Sequence, residues 1–168
     1  ITDRRIQVFS ILGKAMIDGA GGISEGHAAI FSELITRNMD VNPWFTPENV
    51  RNAVMAIGRK LTTDNLLSWL SRYPELKGQV KPSDTGVVMA GNIPLVGFHD
   101  LLCVLVTGNR LIARLSSKDE LSMRAVSDAL ITIDPQISDY ITLTTGQLSG
   151  FDKVIATGSD NTSRYFEY

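Results

Sequence analysis

Two turns carry the residue types that could do chemistry. Gly91-Asn92-Ile93-Pro94 follows the short apolar run from Gly86 to Ala90, and Gly158-Ser159 follows the run from Lys153 to Thr157. A side-chain amide on a Gly-Asn-x-Pro turn after a buried strand can donate a hydrogen bond toward an oxyanion in a cleft. The same asparagine can instead be a residue that tolerates an unusual turn conformation. Gly158-Ser159 ahead of a helix can hold phosphate through backbone amides and the Ser159 hydroxyl, or Ser159 can be a plain N-cap. Between these turns Arg114 ends another apolar run, with Ser116 and Ser117 just after it. There it meets a ribose or phosphate, or stays a surface cation.

Other candidates read as structure. Gly19, Gly21 and Gly22 are grouped like a phosphate loop, but no strand precedes them and no third glycine has the right offset, which leaves a flexible interhelical turn. Cys103 sits inside the apolar run Leu101 to Val106, where a free cysteine behaves as a small hydrophobe. Nothing electropositive adjoins it in sequence to lower its pKa. His99 and Asp100 are neighbours on a predicted helix and so point in different directions. His27 has no partner pattern, and no His/Cys spacing fits a metal site.

The elements that must position these turns change character along the chain. Residues 1–80 read as a helical segment. Ile6, Phe9, Ala15 and Met16 share a face after Thr2-Asp3, and Ser24 is expected to cap a second helix carrying Ala28, Phe31, Leu34 and Ile35. The third helix has Thr46 as N-cap, Pro47 at its first position and Glu48 near the positive end of the dipole. Val50, Ala53, Val54, Ile57 and Leu61 recur at helical spacing, and Leu66, Leu67, Leu70 and Tyr73 extend the pattern to Pro74.

Residues 81–168 read as the first part of a nucleotide-binding α/β domain. Val87 to Met89 is a buried strand, Leu95 to Val106 a mostly buried helix and Leu111 to Leu115 a second strand. Leu121, Ala125, Val126 and Ala129 mark the next helix, which Asp134-Pro135 breaks. Tyr140 to Thr144 and Lys153 to Thr157 are the last two strands. Strands alternating with helices of about a dozen residues predict right-handed βαβ units and a parallel sheet. The expected fold is therefore α/β, a Rossmann-like parallel sheet with flanking helices behind an N-terminal helical segment. Ligands of such sheets lie beyond the carboxyl ends of the strands. The turns at Gly91-Asn92, Ser116-Ser117 and Gly158-Ser159 should converge there.

Composition narrows the partners. The chain has 168 residues, 43% hydrophobic and 20% charged, which suits an ordinary globular protein with a real core. Its net charge of −2 supplies no basic field for a polyphosphate backbone, so nucleic acid is disfavoured. The apolar run Leu101 to Val106 is too short to span a bilayer. One cysteine and no signal-like opening segment point to a reducing, cytoplasmic setting. A homo-oligomer is left open. Ile1 at the start and Tyr168 inside a helix-like segment are what a fragment would show.

Taken in order, Ala90-Gly91-Asn92-Ile93-Pro94, Gly108-Asn109, Arg114-Leu115-Ser116-Ser117 and Thr157-Gly158-Ser159 resemble the aldehyde dehydrogenase superfamily. There a Pro-Trp-Asn-x-Pro turn, a Gly-Asn, a Lys-Pro-Ser segment and a Phe-Thr-Gly-Ser turn appear in the same sequence. The chain is more similar to the acyl-CoA reductase branch, the family of the luminescence fatty-acid reductase, where the Gly-Asn-x-Pro turn lacks the Trp and Ser-Ser replaces Pro-Ser. Trp44 to Val50 and Leu61 to Tyr73 also resemble that family's helical lead-in, so the resemblance covers nearly the whole chain.

That resemblance implies NAD(P)H-dependent reduction of an acyl-CoA thioester to an aldehyde through a cysteine acyl-enzyme. Asn92 would be the oxyanion-hole amide. Ile93, Arg114, Ser116, Ser117, Gly158 and Ser159 would meet the cofactor, NADP or NAD, with Gly158-Ser159 near its pyrophosphate. Arg114 stands where the family has a lysine that meets the adenosine ribose. The exchange keeps the charge but alters the geometry, which leaves NAD versus NADP open. The family's catalytic cysteine follows the Gly-Ser helix by a considerable stretch and is expected beyond Tyr168. Cys103 precedes that helix and cannot replace it. The alternatives are an aldehyde dehydrogenase running toward oxidation, a non-catalytic nucleotide-binding module and a helical interaction domain.

Overall fold

A computed structural model describes residues 2–77 and 81–156. Four helices come first: α1 Thr2–Ala20, α2 Ala28–Val41, α3 Pro47–Lys60 and α4 Thr63–Leu70. Most of the expected apolar stripe residues form their inner faces, with Phe9, Met16, Phe31, Ile35, Val50 and Val54 all buried, but Leu67 and Tyr73, expected on the same stripe, are exposed. Thr46 caps α3 as its sequence implies, its hydroxyl accepting the Asn49 N–H at 3.2 Å. Ser24 does not cap α2. The position ahead of that helix is held by His27 without a side-chain cap, and the Ser24 hydroxyl pairs with that of Ser32 at 2.9 Å. Gly19 lies where α1 and α2 touch. A Cβ there would stand 2.6 Å from the Ala28 carbonyl oxygen, so the glycine-rich segment is an interhelical turn.

The second half alternates β1 Asp84–Val88, α5 Phe98–Val106, β2 Arg110–Arg114, α6 Glu120–Ile133, a 3-10 segment Pro135–Tyr140, β3 Ile141–Thr144 and β4 Lys153–Ala156. The four strands make one parallel sheet in the order β3-β2-β1-β4. The expected Rossmann-like α/β fold is the one observed. Stepping from β1 to β2 to β3 runs one way across the sheet, whereas β4 lies on the far side of β1. With right-handed crossovers, this reversal makes the edge between β1 and β4 a topological switch point.

Residues in register across a parallel sheet share a face. Val87, Leu111 and Ala113 are buried on the face that α5 covers, while Val88, Ile112 and Arg114 on the other face are only partly buried. Gly86 opens that second face to Phe151, whose ring would lie 3.0 Å from a Cβ at position 86. α1 packs against α2, α3, α5 and α6. One continuous core therefore runs from Ile6 to Ile137 through both halves of the chain.

Candidate functional site

The carboxyl ends of the strands supply the site, and its most constrained part is the loop after β1. Pro94 followed by Leu95 at φ 61°, with the Val96 N–H bonded to the Ile93 carbonyl at 3.4 Å, has the pattern of a type II turn. That third position ordinarily calls for glycine. A leucine there costs on the order of 1–3 kcal/mol and persists only where its surroundings over-determine it. Here the Leu95 side chain is buried, and its N–H donates to Asp119 Oδ2 at 2.8 Å. The left-handed residue also explains why α5 starts at Phe98 rather than at Leu95, where the apolar pattern begins.

Asp119 is the residue that sequence reasoning missed. It occupies the N-cap position of α6 without capping its own helix. Instead its carboxylate reaches back to the β1 loop. It is 2% exposed, and burial raises its pKa from 3.8 to about 6. The Ser122 hydroxyl and the Leu95 and Val96 amides oppose that rise, but Oδ1 has no well-placed hydrogen-bond partner. An aspartate ahead of an apolar helix signals a helix start. Nothing local signals that it serves a loop on another strand.

The loops after β1 and β2 meet. A Cβ on Gly91 would stand 2.2 Å from Ser116 Oγ, so only glycine lets the two loops close. Asn92 and Ile93 project outward from this contact, Ile93 with 56% of its surface exposed. The Asn92 amide has no hydrogen bond to a described residue. Beside the contact lies a cleft of about 570 Å³ lined by Val88, Met89, Arg114, Ser116, Ser117, Glu120 and Thr145 among others. Three of the expected cofactor residues thus share one cleft. Asn92 and Ile93 stand at its edge rather than in its lining, and Gly158 and Ser159 lie outside the described residues. Glu120 enters the cleft unforeseen, paired with Arg124 at 2.7 Å.

Two expected features belong elsewhere. Gly108-Asn109 lies at the opposite, amino-terminal edge, where Gly108 has φ 87° and Asn109 Oδ1 accepts from the Ser83 N–H and hydroxyl at 3.0 Å. It stitches β2 to the entry of β1. Cys103 lies on α5 with its sulfur 3.5 Å from His99 Nε2, a pairing one helical turn apart that sequence adjacency did not show. Burial, then Asp100, raises its thiol pKa, which opposes a nucleophilic role.

Among the described residues, no cluster of His, Cys, Asp and Glu is placed to hold a metal ion, and no helix is long and apolar enough to cross a membrane. The fold and cleft define a Rossmann-like α/β chain with a polar site at the carboxyl edge of a parallel sheet. No family model, curated protein or solved structure matches the chain.

Proposed function

We propose that this chain is the cofactor-binding part of an NAD(P)H-dependent acyl-CoA reductase. The observation that carries the reading is the cleft at the carboxyl edge, where Arg114, Ser116 and Ser117 line one polar space beside the Gly91-Asn92 turn. The space, the cation and the hydroxyl groups fit part of a dinucleotide. Arg114 would hold ribose or phosphate oxygens, and Ser116 and Ser117 would donate to the same oxygens. When bound, the reduced nicotinamide supplies hydride.

In this reading the acyl-CoA thioester is attacked by a cysteine beyond Tyr168, and CoA leaves. Asn92 donates its amide N–H to the thioester oxygen as negative charge gathers there. Asp119 does not touch substrate. In this reading it fixes Leu95, three residues on, and so the backbone of the turn that carries Asn92.

Calorimetric titration of the chain with NADPH and NADH tests the cofactor site. Arg114→Gln should weaken the better ligand about 10- to 100-fold, the equivalent of a charge-assisted hydrogen bond worth roughly 1.5–3 kcal/mol. Absence of binding by either dinucleotide, or equal affinity in the variant, contradicts the assignment.

A further inference from the structure

Arg5 presents a buried charge that the nucleotide cleft does not use. It is 6% exposed, its guanidinium lies 4.2 Å over the centre of the Tyr140 ring, and its Nη1 has no hydrogen-bond partner among the described residues. Tyr140 immediately precedes β3, which places this group at the amino-terminal edge of the sheet, opposite the cleft. Burying a cation is costly unless it is paired. Desolvation pulls the Arg5 pKa below its ordinary value, and the opposing pull of Tyr140 and Asp134 does not cancel it.

Asp134 is already engaged. Its Oδ1 accepts from Arg4 Nη2 at 2.5 Å and from the Gln136 N–H at 3.2 Å. Among the described residues that act on Arg5, two guanidinium groups against one carboxylate leave one positive charge uncompensated. Arg4, Arg5, Asp134, Gln136, Ile137 and Tyr140 line a cavity of about 130 Å³. Pockets for drug-sized ligands run about 300–1,000 Å³, so this one suits a small ion and not a nucleotide. A guanidinium whose face rests on an aromatic ring still offers its N–H edge in the plane, the geometry that matches an oxyanion.

We propose that this cavity binds a compact oxyanion, a phosphate or carboxylate group, held by Arg5 and Arg4 beside the Tyr140 ring. Occupancy ties the first turns of α1 to the 3-10 segment ahead of β3. It does not rest on the acyl-CoA reductase reading.

The test is an NMR titration of the ¹⁵N-labelled chain with inorganic phosphate and, separately, with acetate, at ionic strength held constant by sodium chloride. Saturable shifts are expected at the amides of Arg4, Arg5 and residues 136–140. Arg5→Gln should weaken the affinity at least tenfold. Arg4→Gln, which alters an exposed side chain, should weaken it severalfold and serves if Arg5→Gln does not fold. Saturation by phosphate alone assigns a phosphate group, and saturation by acetate alone a carboxylate. Shifts that rise linearly with both anions, or an affinity that neither substitution changes, overturn the site.

Discussion

Asp119→Asn isolates the charge buried behind the β1 loop. In the folded chain the carboxyl titrates at about 6 rather than 3.8, so the fold binds the proton more tightly than the unfolded chain does. The stability this group contributes is fully present below pH 3.8 and is lost as pH rises through about 6. At 1.36 kcal/mol per pH unit the whole loss is about 3 kcal/mol. The asparagine variant keeps an oxygen for the Leu95 N–H but has no proton to release. Its stability relative to wild type should therefore rise by roughly 2–3 kcal/mol between pH 4 and pH 7. Urea unfolding of both proteins at several pH values measures this difference, and titrations common to both cancel. Parallel stability curves would refute the burial of an ionising carboxyl at Asp119. A relative loss for the variant as pH rises would refute its sign.

Two further substitutions probe the frame around the site. Gly91→Ala should destabilise by on the order of 1–3 kcal/mol, because its Cβ would meet Ser116 Oγ at 2.2 Å. Adding Ser116→Gly should recover most of that loss, and unchanged urea midpoints for the single variant would refute the loop contact. Thr46→Ala removes the acceptor for the Asn49 N–H and should cost about 1 kcal/mol by the same assay. A cost near zero would show that the α3 cap contributes nothing.

The fold was legible where local pattern and tertiary placement agree. Val50 and Val54 recur at helical spacing and face the core, and the short β-rich runs separated by helices fold as parallel strands. Boundaries failed where long-range contacts override local preference. Leu95 reads as the start of a helix, yet the hydrogen bond it donates to a residue 24 positions later holds it at positive φ. Ser24 has the right chemistry for a cap, but the chain spends that hydroxyl on Ser32. Arg114, Ser116 and Ser117 could be gathered because Arg114 ends one strand and the two serines follow it. Asp119 could not, since its role lies in which loop it reaches. The Arg5 cavity was invisible for the same reason: its walls come from α1 and from residues about 130 positions away.

Asn92 carries the catalytic claim, and turnover by the full-length protein tests it most directly. With acyl-CoA and reduced nicotinamide cofactor, wild type should form aldehyde and release CoA. Asn92→Ala should lower kcat about 10²–10³-fold, the usual loss for one oxyanion-hole donor. Cofactor affinity should stay unchanged in that variant. Aldehyde formation at the wild-type rate by Asn92→Ala, or none by wild type, would contradict the account.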